Sequence, residues 1–67
     1  MPTLQQRSYL RDLIEKEDWF KKYEEGLNLW ESLQHITTLQ YKKALAMMYN
    51  KDPQTEAFIK QFFIYQA

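Results

Sequence analysis

The sequence predicts an all-α fold: a small three-helix domain with a long antiparallel helical hairpin and a shorter C-terminal helix. Three observations predict it. Glycine occurs once and proline twice in 67 residues, so few positions interrupt a helix. Valine is absent, while Leu, Gln, Glu, Lys, Met and Ala are common. Unbranched side chains lose little rotamer freedom in a helix and β-branched ones lose more. Apolar residues also recur at helical spacing in three successive stretches.

The first helix is expected over about residues 4–25. Thr3 and Gln6 have the spacing of a capping box. At 100° per residue, Tyr9, Leu10, Leu13 and Phe20 gather on one side and Leu27 continues the line. Ile14 and Tyr23 flank this stripe, and Trp19 lies beyond Tyr23. An apolar arc so wide touches more than one neighbour. Glu17 falls near its middle, which requires either an end of the buried zone or a partner for its charge. Gly26 ends the pattern, because glycine accepts the left-handed conformation beyond a helix end.

Asn28 followed by Glu31 repeats the cap spacing, so the second helix is expected over about residues 29–50. The turn between the first two helices is short, which makes them antiparallel neighbours. Leu29, Trp30, Leu33, Ile36, Thr37, Ala44, Met47 and Met48 share a face, with Tyr41 at its edge and Gln40 in its middle. Leu39, Leu45 and Tyr49 point elsewhere. The hydroxyls of Thr37 and Thr38 compete for backbone hydrogen bonds, but the stripe keeps its phase through them and favours one continuous helix.

Asp52 suits an N-cap and Pro53 a first helical position, so the third helix is expected over about residues 53–65. Phe58, Phe62 and Tyr65 form its face, widened by Ile59 and Phe63, with Ile64 opposite. Neither a repeat nor a linker is evident, and residues 1–67 read as a single helical domain.

Composition narrows the function. A chain of about 60 residues buries only about 60% of the surface that it exposes when unfolded. With no cysteine and one histidine, the chain has neither a disulfide nor an evident metal site to offset this. No cofactor is expected. Nine basic residues balance nine acidic ones, which weighs against general nucleic-acid binding. No apolar run approaches the ~18 residues of a membrane span. No basic stretch followed by an apolar one opens the sequence, so a cytoplasmic location is expected.

An enzyme is not expected. His35, Ser32 and Glu31 have the residue types of a triad, but one helix would place all three on its outward side. The run Glu15-Lys16-Glu17-Asp18 and the pair Glu24-Glu25 read as solvated faces. A membrane-surface helix needs a basic polar face, and the third helix has Lys60 alone.

The aromatic content points to binding. Eleven residues are aromatic, and three helices of this size cannot bury all of Trp19, Tyr23, Trp30, Tyr49, Phe63 and Ile64. Together with Phe62 these are the expected interface residues, since Trp and Tyr dominate binding hot spots. Glu17, Lys21, Lys22 and Lys43 would form the charged rim. The expected function is a non-enzymatic protein-interaction module that self-associates, first as a homodimer, docks on a partner protein, or does both. The alternative is a nucleic-acid-binding regulator built on helices 2 and 3 as a helix-turn-helix. Lys42, Lys43, Lys51 and Lys60 would contact phosphates there, and Gln54, Thr55, Lys60 and Gln61 would read bases.

Overall fold

The computed structural model describes residues 1–66. The all-α class holds. Among the described residues there are four α-helices and one 3-10 helix, and the only β pairing is the isolated bridge of Leu27 with Tyr65. Each of the three expected helices is shorter than the periodicity suggested, and the long hairpin is cut into pieces.

Helix α1 spans Leu4–Glu15. Its start is the expected capping box: the Gln6 amide donates to the Thr3 hydroxyl at 3.1 Å, and the Thr3 amide donates to the Gln6 side chain at 2.9 Å. Leu10 and Ile14 are wholly buried.

The helix stops ten residues earlier than the expected residue 25, and Glu17 supplies the reason. A continuous helix would bury its carboxylate in the middle of the apolar stripe, which is costly for an unpaired charge. Instead, the chain tightens. The Glu17 amide donates to Ile14 at 3.0 Å, a three-residue step, and Asp18–Lys22 form a 3-10 helix. Three residues per turn set Phe20 and Tyr23 one above the other. Gly26 then takes the left-handed conformation at φ 76°, in the turn before the second helix.

Helix α2 spans only Leu29–Leu33. The Asn28 side chain caps it by accepting from the Glu31 amide at 3.0 Å, as the sequence suggested. The chain does not continue through Thr37-Thr38. Thr37 is instead the N-cap of helix α3, Thr38–Tyr49, in a second complete Thr-x-x-Gln capping box. This explains Gln40, the polar residue in the middle of the stripe: its side chain accepts from the Thr37 amide at 2.8 Å. Ile36 before the cap and Tyr41 after it are both buried, the arrangement of a hydrophobic staple.

Helix α3 ends in a Schellman motif. The Asp52 amide donates to Met47 at 2.9 Å and the Lys51 amide to Met48 at 3.2 Å. Lys51 occupies the left-handed position at φ 53°, a place usually held by glycine. Asp52 and Pro53 were expected to open the next helix, but helix α4 spans Thr55–Lys60. Asp52 acts one turn earlier: its carboxylate accepts from the Gln54 amide at 2.8 Å and its carbonyl from the Thr55 hydroxyl at 2.6 Å.

Beyond α4 the chain leaves the expected helix for an extended path. The Asn28 amide donates to the Ile64 carbonyl at 3.0 Å, and the Gln66 amide donates to Gly26 at 2.9 Å. The run Phe62-Phe63-Ile64-Tyr65 consists of aromatic and β-branched residues that fit an extended backbone well. α1 packs on α2, and α3 packs on α4. Leu10, Ile14, Phe20, Leu29, Leu33, Ile36, Tyr41, Ala44 and Ile59 form one core shared by every element.

Candidate functional site

The 3-10 helix and the extended C-terminal segment bring aromatic rings together at one corner. Phe63 stands among three of them, with ring centres 5.5 Å from Tyr23, 6.2 Å from Phe20 and 6.4 Å from Trp19. Trp19 and Tyr23 meet edge to face at 5.9 Å. Phe20 is buried, and Trp19, Tyr23 and Phe63 are half-buried. Next to them in the chain, Ile64 is 39% and Tyr65 48% exposed. The expected residues Trp19, Tyr23, Phe63 and Ile64 therefore lie in elements that converge.

Polar groups fix this corner to α4. The Tyr23 hydroxyl donates to Glu56 at 2.6 Å, and the Lys22 ammonium meets the same carboxylate oxygen at 2.7 Å. Hydrogen bonds from Lys22 and then from Tyr23 hold the Glu56 carboxyl below the ordinary carboxylate range. The bond to Glu56 also raises the Lys22 ammonium and the Tyr23 phenol above their ordinary values, and nearby Tyr65 adds to the Tyr23 shift. A groove of about 340 Å³ opens beside Trp19, walled by Met48 and Pro53 and rimmed by Glu17, Asp52 and Glu56. Glu17 is half-buried there and accepts from the Trp19 indole at 3.3 Å, which resolves its place on the apolar stripe.

The other expected interface residues lie in separate groups. Trp30 is flanked by Arg7 and Arg11, each guanidinium carbon 5.1 Å from the ring centre. Each such contact contributes about 0.5–1 kcal/mol, more than the roughly 0.2–0.5 kcal/mol that like charges four residues apart cost on a helix. Phe62 packs edge to face on Phe58 at 5.1 Å, and the Lys43 ammonium lies 4.8 Å from the Phe58 ring centre. Tyr49 is 61% exposed, and its hydroxyl shares a hydrogen bond with that of Tyr9.

The triad residues do not share an outward face. Ser32 is wholly buried: its hydroxyl donates to the Asn28 carbonyl at 2.8 Å and accepts from the Ile64 amide at 2.7 Å. His35 and Glu31 form an outward pair at 3.1 Å. The residues of the alternative reading divide as well. Lys42, Lys51 and Lys60 are exposed, whereas Thr55 is buried with its hydroxyl bonded to the Asp52 and Met47 carbonyls. Helix α4 has six residues, about half the length expected of the third helix that was to read bases.

Sequence reasoning missed Tyr65, which it assigned to the face of the third helix, and Glu56, which is thirty-three residues or more from Trp19, Phe20, Lys22 and Tyr23. It also missed Arg7 and Arg11, whose four-residue spacing was a signal available to it. Among the described residues, no helix is long and apolar enough to cross a membrane. Compared with known proteins, the chain matches no family model, no curated protein and no solved structure.

Proposed function

We propose that this chain is a non-enzymatic interaction module that docks through the aromatic corner, with a second copy of itself as the first partner. The observation that supports this is the continuity of half-buried Trp19, Tyr23 and Phe63 with exposed Ile64 and Tyr65. Rings held by neighbours lose little freedom on docking, and their exposed edges supply the area that hot spots use. The charges of Glu17, Lys22 and Glu56 border the corner, as the rim of an interface requires. Zero net charge leaves no long-range repulsion between copies. Cytoplasmic residence is part of the same proposal.

The test is the mass in solution by light scattering at two concentrations, for the native chain and for Tyr65→Glu. The native mass should rise from one chain towards two, and the variant should stay at one. One chain at both concentrations removes self-association. A photoreactive group placed at Tyr65 that then traps no protein in the source cell removes the module reading.

A further inference from the structure

Arg7 and Arg11 are the only arginines in the chain; its seven other basic residues are lysines. Both arginines converge on one ring, Trp30, which α2 presents to α1. A guanidinium stacked on an indole is held in place with its N–H edge free, a geometry that lysine does not provide. The anionic complement within the chain is slight. Arg11 reaches the Asp12 carboxylate at 3.5 Å and the Ser8 hydroxyl at 3.3 Å. Arg7 makes no ion pair among the described residues, and its Nε is buried with no hydrogen-bond partner. That atom is closed to solvent, so a ligand would meet the terminal nitrogens of the Arg7 guanidinium, which are not among the buried donors.

We infer that Arg7, Arg11 and Trp30 form a carboxylate-binding site for an acidic amphipathic segment of a partner protein. This rests on the reading of the chain as an interaction module, at a surface distinct from the aromatic corner. Two observations select a protein carboxylate over a nucleic-acid phosphate. Leu4 is 63% exposed and lies on the same side of α1, three and seven residues before the arginines, so an apolar side chain has a seat beside the cations. The first thirty-three residues carry five basic and seven acidic side chains, so no basic track leads a phosphate backbone away from the pair. An amphipathic partner would place an apolar residue on Leu4 and its carboxylates against the two forks.

The experiment is an NMR titration of the full ¹⁵N-labelled chain with an amphipathic peptide of Glu and Leu. The same peptide with Lys for Glu and an oligothymidylate serve as comparisons. Only two arginine Nε–Hε signals exist, so the site reports on itself. Both should shift together with the Trp30 indole, and the affinity should fall about tenfold in R7K/R11K and again in the exposed variant Leu4→Ser. The inference is overturned if the arginine signals stay still, if both variants bind as the native chain does, or if oligothymidylate binds more tightly. A peptide that moves only Trp19 would support the aromatic corner and overturn this site.

Discussion

The Ile64 amide donates to the buried Ser32 hydroxyl at 2.7 Å, and this bond joins the C-terminal segment to α2. The hydroxyl passes its own hydrogen to the Asn28 carbonyl, so one side chain satisfies two backbone groups. Removing it leaves the Ile64 donor without an acceptor. Ser32→Ala should therefore cost about 1–3 kcal/mol in urea unfolding. Amide exchange at Ile64 should accelerate more than exchange at Leu10, because the C-terminal segment opens first.

Two left-handed residues make opposite predictions. Gly26, at φ 76°, has open space where a Cβ would stand, so Gly26→Ala pays only the conformational penalty of about 1 kcal/mol. Lys51 already bears that penalty at φ 53°. Lys51→Gly should stabilise the chain by up to about 1 kcal/mol, reduced by the greater freedom of glycine in the unfolded state. Thermal midpoints of the two variants should move in opposite directions from the native value.

The local punctuation was legible in the sequence; the continuity between punctuation marks was not. The Thr3–Gln6 capping box, the Asn28 cap and the left-handed conformation of Gly26 were read correctly, because caps and left-handed turns depend on residues within a few positions, although Gly26 does not end the long helix expected before it. Thr37 with Gln40 carried the same signal as Thr3 with Gln6, and the unbroken apolar phase hid it. A stripe that stays in phase across a break means only that both helices face one core. The extended run after α4 depends on Ser32 and Gly26 meeting partners far along the chain, whereas the end of α1 at Glu15 turns on the local contact of Glu17 with Trp19, which an unbroken stripe conceals. At the aromatic corner, the residue types were legible. The grouping was not, because Phe63 reaches Trp19 and Tyr23 only through the extended path.

Glu56 sets the pH dependence of the corner. Its carboxyl is held below 4.5 by Lys22 and Tyr23, so the stabilisation is present above about pH 4.5 and is lost as pH falls through the lower folded value. Lys22 is raised above 10.5 by Glu56, so its share is complete below that pH and is lost as pH rises through the higher folded value. Tyr23 is raised above 10.0, first by Glu56, and its neutral phenol is lost on the same alkaline side. The stability difference between the native chain and Glu56→Gln should therefore be largest between about pH 5 and 10 and should shrink on both sides. Urea midpoints measured through that range and beyond it on both sides, at low salt, are the measurement. A difference that stays constant down to pH 2 would show that Glu56 acts through packing alone.

Phe63 and Tyr65 separate folding from docking at the corner. The Phe63 ring touches three others and is half-buried, so Phe63→Ala should cost about 2–3 kcal/mol, less than the 3–5 of a fully buried Phe. Tyr65 is 48% exposed and is tied to Leu27 by its backbone, which substitution leaves in place. Tyr65→Ala should change folding by no more than about 0.5 kcal/mol. If the exposed edges of the corner are the docking surface, Tyr65→Ala should weaken association while unfolding of the dilute monomer stays the same. Losses confined to Phe63→Ala, with association untouched by Tyr65→Ala, would make the corner a structural clasp. The docking surface would then have to be sought elsewhere, with the arginine pair on Trp30 the next place to look.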